Sequence, residues 1–218
     1  MSYIVPVLDF GSLLSYCPHG STQEAIIAKY FTYWIKNDQV IESENVTMSE
    51  WIAMRLKMQL DQLPFKEFFG AQIALVPVPR SSLMQRNSLW VPDRMVNAMH
   101  KQGLGEAMPV LERIMPVQKS SSSPASERPL PKDHFDSLRV QTNLTAPEQI
   151  TLVDDVITRG HTMLGAAWRL HEAFPDSRIM SFAAMRTISQ EDKFFDLMKP
   201  AKGKIHYRYD TEDALRRP

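Results

Sequence analysis

The chain of 218 residues holds one cysteine, Cys17, so no internal disulfide can form and a cytoplasmic location is expected. Cys17-Pro18-His19 supplies two of the four ligands a structural zinc site needs, and no Cys-x-x-Cys pair adds the rest. No run of about 18 apolar residues occurs, which argues against a transmembrane helix. The start, Met1-Ser2-Tyr3-Ile4-Val5-Pro6, lacks the basic and apolar regions of a signal peptide, so none is expected. Excess charge is missing too: 25 Lys and Arg face 25 Asp and Glu. That balance argues against extensive contact with nucleic acid or a membrane surface. There is no internal repeat, no Walker loop and no His-Glu-x-x-His motif. What remains is a chain 44% hydrophobic, enough for one sizeable core with an elaboration.

The most informative stretch is Gln149-Ile150-Thr151-Leu152-Val153-Asp154-Asp155-Val156-Ile157-Thr158-Arg159-Gly160-His161-Thr162-Met163. Its apolar lead, two adjacent acids and polar loop with one glycine predict a buried strand, a turn and a helix N-terminus. Open α/β sheets bind ligands at such strand ends. Free N–H groups at a helix start favour an anion such as phosphate, and Gly160 allows a tight turn or close approach. Asp154 and Asp155 would repel that phosphate. They suit sugar hydroxyls, directly or through a divalent cation. The bland alternative is an ordinary strand-loop-helix turn with solvated acids.

A second stretch, Gln72-Ile73-Ala74-Leu75-Val76-Pro77-Val78-Pro79, predicts a buried strand whose prolines lie at its end. Arg80-Ser81-Ser82 then sets a cation and hydroxyls at that end, and Arg86 follows. Helices are predicted over 22–36, over 48–63 with a capping box at Thr47 to Glu50, over about 94–102 capped by Asp93, and over 162–174. Strands are expected over 109–117 and 178–185, with an exposed edge strand at 204–209 and a polar tail after it. Residues 1–21 read as an irregular arm. The Ser/Pro segment from Lys119 to Pro129 can bury little.

The acid-pair stretch resembles the phosphoribosyl diphosphate (PRPP) signature of type I phosphoribosyltransferases. The chain is most similar to the ComF-like branch, whose "PVP" strand end is also followed by an arginine-containing segment and a helix. The resemblance covers roughly residues 72–187 and lacks that branch's cysteine-rich zinc element. It implies an α/β fold: a mainly parallel sheet flanked by helices, with a helical hood over 1–70. The core then spans 71–218, with a flexible loop at about 118–137.

It further implies that Asp154 and Asp155 bind the ribose hydroxyls. Thr158, Arg159, Gly160, His161 and Thr162 would wrap the 5′-phosphate. Arg80, Ser81, Ser82 and Arg86 would hold pyrophosphate, and Lys119 and Arg128 would be charges of a lid. Mg²⁺ would arrive with PRPP, and Asp154 and Asp155 are its only candidate protein ligands. Arg159 and His161 stand where many relatives have small residues or, at the second position, Lys. Thr158 stands where hypoxanthine-guanine salvage enzymes carry a catalytic Asp. The expected activity is transfer of a 5-phosphoribosyl group to an unidentified acceptor. Such enzymes are often homodimers. Two competing readings are a PRPP or nucleotide sensor, including a DNA-uptake role, and a sugar phosphatase using Asp154. The second lacks the companion Asp-x-Asp.

Overall fold

The computed structural model describes residues 4–118, 128–141 and 145–217. Its centre is β8 (Gln149–Ile157), buried on both faces through Val153. On β8, Ile150 and Leu152 pack to one side of the sheet, and Val153 packs to the other. Near-continuous apolar strands of this kind suit a parallel sheet covered on both sides. β8 lies between β4 (Ala74–Pro77) and β9 (Arg178–Thr187), parallel to both. β5 (Glu106–Ala107) extends the parallel set beyond β4, and β1 (Val7–Tyr16) extends it beyond β9. β10 (Ala201–Arg208) and β11 (Asp213–Arg217) add antiparallel strands next to β1. The order is β11-β10-β1-β9-β8-β4-β5, a mainly parallel seven-stranded sheet.

One face carries α1 (Gln23–Lys36), α2 (Met48–Gln59) and α3 (Val91–Lys101), packed on Leu75, Val153 and Phe182. Two short strands, β2 (Val40–Ile41) and β3 (Val46–Thr47), form a hairpin between α1 and α2. The capping box expected at α2 is present: the Glu50 N–H donates to Thr47 Oγ1, and the Thr47 N–H donates to Glu50 Oε2. The opposite face carries α4 (Pro131–Asp136), α5 (His161–Ala173) and the antiparallel pair of β6 (Leu111–Arg113) with β7 (Leu138–Val140).

Four expectations are corrected. Residues 7–16, read as part of an irregular arm, form a central strand between β9 and β10. Small polar residues disguise it: Ser12 and Ser15 are buried, and a Cβ on Gly11 would meet the Phe65 ring at 2.6 Å. The polar tail is strand β11, which takes the edge position and leaves β10 inside the sheet. α3 starts at Val91 rather than after Asp93, because Pro92 favours the first turn. The second half of the loop expected at 118–137 is the ordered helix α4. Asp133 Oδ2 accepts the Leu130 N–H at 2.7 Å there, and Phe135 is buried. Lys119, the other expected lid charge, lies outside the described residues.

Candidate functional site

All the parallel strands point their carboxyl ends to one edge, where β1 ends at Tyr16, β9 at Thr187 and β8 at Ile157. Asp154 and Asp155 lie inside β8, and the pairing with β9 continues past them to Ile157. The acid pair is therefore held by a strand rather than by a loop. Each carboxylate accepts a following backbone N–H: Asp155 N donates to Asp154 Oδ1 at 2.9 Å, and Val156 N donates to Asp155 Oδ1 at 2.6 Å. Burial, and next the neighbouring Asp155 charge, push the Asp154 carboxyl well above the usual range. Tyr16 stands close by, its phenol pushed up by burial and then by Asp155.

The expected loop follows on from the acids. Gly160 has φ +96°, and a Cβ there would meet Ile205 Cγ2 at 2.7 Å. Only glycine meets both demands, and its conformation turns the chain into the first turn of α5. Thr158 is exposed, and its carbonyl accepts from Arg216 Nε at 2.7 Å. Thr162 Oγ1 lies 3.4 Å from His134 Nε2. That imidazole is driven down to about 3 by burial, with Arg113 and His161 adding to the effect.

Two of the loop side chains have partners that lie far away in sequence. The buried His161 ring has Nδ1 at 2.7 Å from the Pro129 carbonyl and Nε2 hydrogen-bonded to Asp213 Oδ1. Arg159 NH1 lies 3.7 Å from Asp213 Oδ2, and Arg208 NH2 donates to the same oxygen at 2.7 Å. Burial alone would raise the Asp213 carboxyl. Hydrogen bonds from Arg208 and His161 hold it below its ordinary value. A cavity of about 750 Å³ opens beside this cluster, lined by Arg128, Arg159, His161, Arg208 and Asp213 among others. It does not reach the acid pair.

The second expected stretch lies alongside. Pro77 pairs with Val153, and the Val78 N–H donates to the Val153 carbonyl at 2.9 Å, so Pro79 to Ser82 run out beside the acids. The Arg80 guanidinium donates to the Leu89 carbonyl at 2.8 Å. Ser81 and Ser82 are half-buried, and Arg86 is exposed.

Arg113 was missed. This buried cation donates to the Arg80 carbonyl at 2.9 Å, to the Pro79 carbonyl at 3.4 Å and to Ser137 Oγ. Burial lowers it to about 10, and the Asp154 charge opposes that fall. It thus holds the β4 loop and places a positive charge within electrostatic reach of Asp154. Alternation along β6 was the available signal, since Leu111 and Arg113 share the buried face. Nothing near Asp213 in the sequence pointed to its role. Arg186, near the end of β9, turns inward to Ser12 Oγ at 3.1 Å and the Lys199 carbonyl at 2.6 Å.

Among the described residues no group of three or more His, Cys, Asp or Glu could hold a metal ion. A divalent cation at Asp154 and Asp155 would need oxygens from its ligand or water. No described helix is long and apolar enough to cross a membrane.

No protein-family model matches the chain, and neither does any curated protein. Among solved structures it is similar to a hypoxanthine phosphoribosyltransferase from Staphylococcus aureus, at 11% identity and a TM-score of 0.35, over 72% of this chain and 81% of that one. It is also similar to the Trypanosoma cruzi hypoxanthine phosphoribosyl transferase, at 8% identity and a TM-score of 0.34, over 80% and 87%. The chain is thus structurally similar to hypoxanthine phosphoribosyltransferases at low identity.

Proposed function

We propose that the chain transfers a 5-phosphoribosyl group from PRPP to an acceptor and releases pyrophosphate. One observation carries this reading. A strand-held acid pair leads through Gly160, at φ +96°, into the open first turn of α5. The Pro79–Ser82 segment runs beside it on the neighbouring strand. An anion at the helix start, ribose hydroxyls at the acids and a second anion at the β4 loop match the three parts of that donor. The ComF-like branch remains part of the proposal, as does the view that the N-terminal helices meet the acceptor.

Each residue has a defined task. The first N–H groups of α5 and the Thr158 and Thr162 hydroxyls bind the 5′-phosphate. Because both His161 ring nitrogens are engaged, that residue contributes its backbone N–H. Asp154 and Asp155 orient the ribose hydroxyls. The Ser81 and Ser82 amides and Arg86 hold the leaving pyrophosphate, while Arg113 fixes the loop that presents them. The acid pair fits Mg²⁺, since the buried Asp154 carboxyl and its charged neighbour favour a cation between them. When bound with PRPP, Mg²⁺ would offset charge on the leaving group. The protein positions and shields the reacting centre.

Calorimetric titration with PRPP, with and without Mg²⁺, tests the reading. We expect saturable, magnesium-dependent binding that Asp154→Asn with Asp155→Asn abolishes without unfolding the chain. Equal affinity in that double variant would sink the assignment. The Asp213 cluster favours a second reading, a PRPP or nucleotide sensor without transfer. An internal carboxylate already engages the Arg159 and His161 side chains there. On the transferase reading, PRPP-dependent pyrophosphate release accompanies binding. On the sensor reading, binding occurs without release, and Asp213→Asn tightens it several-fold by returning cations to the ligand.

A further inference from the structure

The outward face of α1 is unlike the rest of the surface. Ile26 and Ile27 are each 44% exposed, Tyr30 61%, Tyr33 60% and Trp34 39%. They recur at three- and four-residue spacing, so they form one stripe along the helix. Only the uncharged Gln23 and Asn37 flank its ends on that face. The opposite face is buried through Ala25, Ala28, Thr32 and Ile35, so the helix is already anchored and the stripe is additional. Trp34 is braced from behind: its ring lies 5.3 Å from Phe31, whose ring lies 6.1 Å from Trp51. Rigid Trp and Tyr side chains on a fixed helix are the residues that dominate protein interfaces.

Size identifies the occupant. At these exposures the five side chains leave on the order of 500 Å² of surface in water, taking 150–250 Å² for each aromatic. Monomers rarely leave contiguous apolar patches above a few hundred Å² uncovered. Two copies meeting through the stripe would bury on the order of 1,000 Å², where specific interfaces begin. A face without charges has no like-charge repulsion of its own when it meets itself. A two-fold axis at Tyr30, the helix midpoint, would set Ile26 and Ile27 of one copy against Tyr33 and Trp34 of the other.

We propose that α1 is the interface of a homodimer in which two copies pack antiparallel through this stripe. The surface is independent of the transferase reading. It also bears on the site, because Lys36, the last residue of α1, is close enough to act electrostatically on Asp154.

Sedimentation velocity at micromolar concentrations tests the proposal. The wild-type chain of 25.0 kDa is expected to sediment as a dimer of about 50 kDa. Tyr33→Glu with Trp34→Glu should return it to one chain's mass with an unchanged circular dichroism spectrum. Should that variant fail to fold, Tyr30→Cys supplies the second measurement. Cys17 is buried, so oxidation should yield one covalent dimer through the new thiol. A wild-type chain that stays monomeric overturns the proposal. If that monomer also co-sediments with anionic lipid vesicles, the stripe faces a membrane surface instead. A dimer that survives the double substitution overturns the proposal too, since its interface lies elsewhere.

Discussion

The two loops at the carboxyl edge of the sheet are built in opposite ways. The loop after β4 is clamped through its backbone: Arg113 reaches from β6 and grips the Pro79 and Arg80 carbonyls. Beyond Arg80, Ser81 and Ser82 are half-buried and Arg86 is exposed. The loop after β8 is set by its own glycine, and two of its side chains are held by Asp213 from the far end of the chain. On the proposed reading, a ligand at the first loop meets the Ser81 and Ser82 amides and the Arg86 side chain, and a ligand at the second meets backbone N–H groups and hydroxyls. Both loops leave neighbouring parallel strands, so the proposed reading lets two anions of one molecule be held by such different means.

Removing the clamp should break the contrast most severely. Arg113→Met leaves the Pro79 and Arg80 carbonyls and Ser137 Oγ without their donor, and takes a cation from near Asp154. Loss of one partner from such a buried polar set costs about 3–5 kcal/mol. Urea unfolding should show that loss, and PRPP binding should fall even where the chain is folded. A change under about 1 kcal/mol would mean the β4 loop holds itself.

The β8 loop should break through its backbone instead. Gly160→Ala places a Cβ 2.7 Å from Ile205 Cγ2 at a φ of +96°. The left-handed conformation costs about 1–2 kcal/mol and the overpacking about 1–3. Thermal unfolding should register a loss of about 2–5 kcal/mol in all. In an Ile205→Ala background, which lacks all three contacting atoms, Gly160→Ala should recover the steric part and keep only the conformational part. Full recovery would show that φ carries no cost there, and no recovery would show that Ile205 is not the obstacle.

The same contrast explains what could be read from sequence. The acids, Gly160 and the start of α5 lie within one local pattern, so β8 and α5 were placed within a residue or two. The β4 strand end was equally local. The partners that tie these pieces down were not. Asp213 is 52 residues from His161, and Arg113 is 33 from Arg80. Contacts over such spans leave no periodicity to detect. β1 was lost for another reason: its buried Ser12 and Ser15 look like loop chemistry until Arg186 and the Asp196 carbonyl are seen to satisfy them. β11 was lost because its charged residues hide a strand that pairs with β10 through Arg217.

The smallest expected effect falls on the acid pair, which sits on the seam between the two loops. The Asp154 carboxyl is raised in the folded chain above its unfolded value of about 3.9. Below that unfolded value it is protonated in both states, and its contribution to stability is fully present. As pH rises through the raised folded value, the unfolded chain ionises more readily and that contribution is lost. Asp154→Asn removes the slope, so the variant should gain stability over the wild type as pH rises towards neutrality. Denaturant unfolding followed upward in pH from the unfolded carboxylate value compares the two curves. Parallel curves would mean that Asp154 does not carry the strain. If they diverge, Mg²⁺ with PRPP should stabilise the wild type and leave the variant unchanged, because a ligand stabilises only the chain that binds it. That outcome would tie the cost of placing Asp154 beside Asp155 to the ligand the pair is proposed to receive.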